Sequence, residues 1–310
     1  MIKRVLAPLA AAVFVLCLCS CKGYRETDNE YYVTTVCFEK EKENFRALIE
    51  VLTISSDDKK TGSKVFAATG KTPYDAVEGT TSSMPKTAVF DHCSTAIIGS
   101  EITGEDFKSV VKYLYDTKNL NLGIYMYTAE NITGILELKP QTPSVGYDIM
   151  DIESSLCAST GISLKNKYYE ICSRQISSDG FCLPEVSANG GRPAITGQTV
   201  YVDYMPVLTL DRREATVCNL IYSGSGGGEI NISGKKCGIN GISSNIKAKG
   251  DTLFINIKCR YRNAADGMDK RLKSEVNRLI NKLSGNAALK VLGVEDYEKI
   301  GSARVTVNGK

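Results

Sequence analysis

Apolar positions change period several times along this chain, and each change predicts an element. Residues 31–38, rich in Tyr, Val and Thr, read as a strand. Residues 45–54 read as its antiparallel partner across a charged turn at 39–44. Past a polar stretch at 55–62, residues 64–68 read as a third strand. A helix follows: Thr72 can cap it, Pro73 presets φ at the first position, and Asp75 completes a capping-box spacing. That helix runs to about Ser82. A second capping-box spacing, Thr103 with Asp106, opens a helix with Phe107, Val110, Val111 and Leu114 on one face. Residues 95–98 and 122–127 read as short strands on either side of it.

Residues 139–143 carry two prolines and read as a joint, followed by helices at 147–157 and 166–174. The Gly/Pro/Asn-rich stretch 187–193 reads as a domain boundary. Residues 198–210 then read as two short strands, with Asp211 capping the next helix. The glycine run 223–228 reads as a hinge or turn; no Gly-Lys-Ser/Thr follows it, so it is no phosphate loop. Strands are expected at 229–233 and 252–259, the latter with Leu253, Ile255, Ile257 and Cys259 on one face. The clearest helix spans 264–284, where Met268, Leu272, Val276, Leu279, Ile280 and Leu283 recur at helical spacing and Gly285 stands at the stop. A last strand is expected at 303–307. The expected fold class is α+β: mixed, largely antiparallel sheets with packed helices in two to three domains. One region would cover 31–190, divisible near 139–143, and a C-terminal domain 191–310.

The first residues have a different character. Lys3 and Arg4 precede an apolar run at 5–18, and Ser20 then precedes Cys21. Charge, apolar run and small residue in that order make a secretory signal peptide at 1–20. The run is shorter than the ~20 residues a spanning helix needs. Its end resembles a bacterial lipobox, with Leu18 and Ser20 at the expected places, in which the cysteine takes diacylglycerol and becomes the new N-terminus. Cys21 is therefore the expected lipid attachment site, and residues 21–30 the lipidated tether. Two acyl chains, at ~0.8 kcal/mol per buried CH₂, hold a protein to a bilayer where one chain is marginal. The competing reading is a plain signal peptide with a bystander cysteine.

Charge narrows the partners. Removing Lys3 and Arg4 from the 38 basic residues leaves 36 against 35 acidic ones, no overall footprint for nucleic acid. Beyond Cys21 stand Cys37, Cys93, Cys157, Cys172, Cys182, Cys218, Cys237 and Cys259. Export would permit disulfides, yet no C-x-x-C pair occurs among them; mostly buried thiols, with one or two bridges, are expected. His92 is the sole histidine. One imidazole with scattered thiols lacks metal-ligand spacing, and a histidine-dependent hydrolase would need a nucleophile brought to it. Its expected role is structural. No metal, cofactor or catalytic residue is expected.

Several segments together resemble the Ger(x)C family, the lipoprotein C subunit of spore germinant receptors. Cys21-Lys22-Gly23-Tyr24-Arg25-Glu26 stands where the family has its lipidated cysteine and short acidic motif. Gly70-Lys71-Thr72 with the residues from Tyr74 to Val77 is similar to a second family segment. Phe90-Asp91-His92 followed by Ile97-Ile98-Gly99-Ser100-Glu101 is the most distinctive match. Leu183-Pro184, Gly197-Gln198-Thr199-Val200-Tyr201 and the long C-terminal helix fall in the expected order. Lys22-Gly23 departs from the Trp-Asp common in the family. The resemblance implies three α+β domains on the outer face of the spore inner membrane, two integral-membrane partner subunits, and a role in receptor assembly and signalling without catalysis. The main rival is an extracytoplasmic solute-binding lipoprotein; an exported hydrolase is a poorer third.

Overall fold

The structure is a computed structural model that describes residues 29–54, 61–117, 120–177, 180–224, 226–232, 234–262 and 267–309. The expected leader at 1–20 and Cys21 lie outside these residues. Two sheets organise the rest. The first has the order β3-β2-β1-β5-β6-β7-β8-β9, with β4 also paired to β1. Its strands are β1 (Glu30–Glu41), β2 (Asn44–Ile54), β3 (Thr61–Gly70), β4 (Thr87–Val89), β5 (Thr95–Gly99), β6 (Tyr125–Ala129), β7 (Phe181–Asn189), β8 (Arg192–Val202) and β9 (Met205–Asp211). The central run β1, β5, β6 and β7 is parallel, and an antiparallel meander flanks it on each side.

Alternation along these strands sorts side chains onto two faces. One face carries Val36, Phe38, Ile49, Ala96, Ile98 and Met126, and packs against helices α1 (Pro73–Ser82) and α2 (Gly104–Asp116) through Ala76, Val77, Phe107, Val110, Val111 and Leu114. The other face carries Cys37, Leu48, Ile97 and Tyr127, beneath α3 (Ile132–Leu136) and α4 (Val145–Thr160). A further helix, α5 (Tyr168–Ile176), returns to the first face through Tyr168 and Ile171.

After α6 (Arg212–Ser223) the chain builds a second sheet of β10 (Gly228–Ile232), β11 (Lys235–Lys249), β12 (Thr252–Arg262) and β13 (Ser302–Gly309), in that order. Helix α7 (Met268–Leu283) crosses from β12 to the parallel β13. Leu253, Ile255, Ile257 and Cys259 meet Leu272, Val276, Leu279, Ile280 and Leu283 in one core. Ile162, Cys182, Val200 and Leu210 join that same core, so the end of the first sheet and the second sheet share their interior. The fold is α+β, with mixed sheets and packed helices.

Local chemistry explains where elements begin. The capping box of α1 forms as expected, Thr72 Oγ1 accepting from Asp75 N and Asp75 from Thr72 N. Asp211 likewise accepts from Arg213 N and Glu214 N at the start of α6. At α2 the expected box does not form: Thr103 makes no side-chain cap bond. Gly104 takes φ +58 and gives its N–H to the Tyr204 carbonyl at 2.9 Å, so the β8–β9 turn holds this helix end instead. The strand expected at 122–127 starts at Tyr125, because Asn121 folds residues 121–124 into a turn through Gly123 N and Ile124 N. The stretch 187–193, read as a domain boundary, is the turn joining β7 to β8, with Gly190 and Gly191 at φ +59 and +78. Such a pair is a type I′ hairpin turn, and the sheet continues through it.

Candidate functional site

His92 is exposed and sets its ring edge-on to Tyr32, centroids 5.2 Å apart. Cys93 beside it is buried, with Sγ 3.7 Å from the Thr95 carbonyl, and burial lifts its pKa to about 12. No nucleophile–base dyad arises there. All eight described cysteines are free thiols, and only Cys157 and Cys172 are partly exposed. The bridges expected among them are not present. Among the described residues no group of three or more His, Cys, Asp or Glu side chains is placed to hold a metal. The glycine run after α6 leads into β10, a strand, and presents no helix N-terminus.

Three polar sites, two of them buried, went unsuspected in the sequence. The first centres on Glu50, fully buried on β2. Its carboxylate accepts from Thr34 Oγ1 (3.2 Å), Thr35 Oγ1 (2.8 Å), Val145 N (2.8 Å) and Gly146 N (3.1 Å). The last two donors open α4, so a strand carboxylate occupies the helix N-terminus, where unpaired N–H groups and the helix dipole favour an anion. A Cβ on Gly146 would lie 2.0 Å from Thr35 Oγ1; only glycine permits that approach. In the second site Glu153 on α4 accepts from Tyr127 Oη (2.6 Å) and Asn166 Nδ2 (3.0 Å). Desolvation raises the Glu153 pKa, against the lowering pull of those two bonds.

The third site lies at the meeting of α4, α6 and β8. A cleft of about 660 Å³ there is lined by Asp148, Asp151, Ser155, Arg192 and Arg212. A pit of about 30 Å³, walled by Leu156, Ile162, Ile195 and Ala215, shares Leu156, Ile195 and Arg212 with it. Gln198 lines the pit; its Oε1 accepts from Asn219 Nδ2 at 3.0 Å, and its buried Nε2 has no protein partner. The pit is wide enough for a water to take that bond. The first two sites tie elements together, and in the third Asp148 accepts from Gln141 N at 2.8 Å and Thr142 N at 2.7 Å.

Comparison with known families decides the kinship. The family model described as the spore germination protein N-terminal domain matches residues 23–188, more than half of the chain. The chain belongs to this family. The match begins two residues past Cys21 and ends within β7, so it takes in β1 to β6, nearly all of β7, and α1 to α5. A solved structure, titled the crystal structure of the GerBC protein, aligns over 89% of this chain and 96% of its own, at 14% identity and a TM-score of 0.48. No curated protein matches the chain. Among the described residues no helix is long and apolar enough to cross a membrane.

Proposed function

We propose that this spore germination protein is the lipid-anchored C subunit of a nutrient germinant receptor, acting in assembly and signalling without catalysis. The observation that carries the reading is the family match over 23–188, which starts two residues past the cysteine that ends a signal-peptide pattern. Lipid on Cys21 would hold the body on the outer face of the spore inner membrane. Confinement there raises its effective concentration near two integral-membrane subunits. The paired, interior roles of the buried carboxylates, and the edge contact of His92 with Tyr32, fit a binding body.

Replacing Cys21 by alanine tests the reading. Fractionation of spores should find the Cys21→Ala protein outside the membrane pellet, and nutrient-triggered germination should slow. Full membrane retention together with normal germination defeats the proposal.

A further inference from the structure

The second sheet buries one face against α6 and α7 and turns the other to solvent. Register places Lys247 and Lys249 of β11, Lys258, Arg260 and Arg262 of β12, and Arg304 of β13 on that solvent face. The pairs Lys247–Phe254, Lys249–Thr252 and Phe254–Arg304 share it, opposite buried Leu253, Ile255 and Ile257. All six cations are exposed, and among the described residues none has a carboxylate partner. Among the described residues the only acid on the strands of this face is Glu229 of β10, which is paired with Lys236 at 3.2 Å. Lys258, Arg260 and Arg262 follow one another at every second residue, about 7 Å apart. That is inside the Debye length of about 8 Å, so they repel one another. In a chain with 38 basic and 35 acidic residues, such a field is a strong local asymmetry.

We propose that this open face docks on the surface of an anionic phospholipid bilayer. Eleven residues of β12 span about 36 Å, and four strands about 14 Å across, a broad pleated plane with cations spread along it. A plane of that kind matches a sheet of headgroup phosphates. Each Lys or Arg near such a surface contributes about a fivefold gain in partition. The cation over Phe254, Arg304, holds its guanidinium 5.9 Å from the ring, which keeps it on the face. The charge asymmetry stands on the geometry by itself. The choice of a bilayer over an acidic protein rests on the membrane-held reading above.

The test uses the full chain on vesicles of phosphatidylglycerol with phosphatidylcholine, and on phosphatidylcholine alone, with an amine-reactive label read by mass spectrometry. Lys247, Lys249 and Lys258 should be labelled at least about fivefold less on the anionic vesicles. Lys108 and Lys112 of α2 serve as unprotected references, and the protection should vanish in ~1 M salt. The triple variant Lys258→Glu, Arg260→Glu, Arg262→Glu should lower partition to anionic vesicles by roughly 100-fold or more. Equal labelling of the three lysines on both vesicle types overturns the proposal, and leaves the face to an acidic protein. Failure of the chain to associate with neutral vesicles would instead count against anchoring, while the anionic footprint is still read.

Discussion

Glu50→Gln isolates what the buried carboxylate does for the spore germination domain. The amide keeps the shape but offers one acceptor oxygen where four donors converge. With that oxygen toward Thr34, Thr35 and Gly146, the NH₂ group faces Val145 N, and a buried donor goes unsatisfied at about 1–3 kcal/mol. Three charge-assisted bonds become neutral ones, roughly halving their strength. The helix end also loses its anion, about 0.3–2 kcal/mol. A neutral side chain is cheaper to bury, which offsets part of the loss. The net expectation is a destabilisation of about 3–4 kcal/mol, close to that for removing one partner of a buried pair. Urea denaturation followed by far-UV circular dichroism reads it: with a slope of about 3 kcal/mol/M, the midpoint falls by about 1 M. Amide exchange at Val145 and Gly146 should accelerate in parallel. A stability within about 0.5 kcal/mol of the parent would refute the claim that this carboxylate locks α4 to the sheet.

Other perturbations check separate parts of the account. Gly146→Ala drives a methyl against Thr35 Oγ1 and should lower the same midpoint, measured under the same conditions. Burial raises the Glu153 pKa above the ordinary 4.5, so the folded form binds the extra proton. Stability from that proton is complete below about pH 4.5 and is lost as pH rises through the folded value. Glu153→Gln should therefore gain stability relative to the parent as pH rises from 4.5, and a pH-independent difference would contradict it. Leu272→Ala empties part of the shared core under the second sheet and should cost about 2–5 kcal/mol in denaturant melts. Alkylation of the folded protein should modify Cys157 and Cys172 first, slowly because burial raises both thiols, with Cys37, Cys93, Cys182, Cys218, Cys237 and Cys259 protected until unfolding.

Elements with a local cause were readable in the chain. The capping box at Thr72 and Asp75, the Asp211 cap, the alternation of β12 and the stripe on α7 each appear where their residues require. Elements that depend on distant partners were not. Strand β11 escaped notice because Gly238, Asn240, Gly241, Ser243, Ser244 and Asn245 are weak strand formers, and a bulge after Ile239 breaks its alternation. Pairing on both sides, with β10 and β12, makes it a strand. Gly190 and Gly191 signal a turn, but nothing local distinguishes a hairpin from a linker. A mixed, largely antiparallel sheet was legible from the hairpins and the strand–helix alternation, but the parallel order of β1, β5, β6 and β7 follows from crossovers between strands distant in the chain. Glu50 sits in an alternating strand where a carboxylate reads as solvent-facing, and only the arrival of α4 makes it interior. The basic face had the same character: its cations are scattered in sequence until the sheet register gathers them.

Intact-mass and peptide mass spectrometry of the protein purified from spore membranes tests the central claim most directly. The account predicts an N-terminal peptide beginning at Cys21 and carrying a diacylglyceryl group on its sulfur. A free Cys21 thiol, or a chain that still retains residues 1–20, would contradict it.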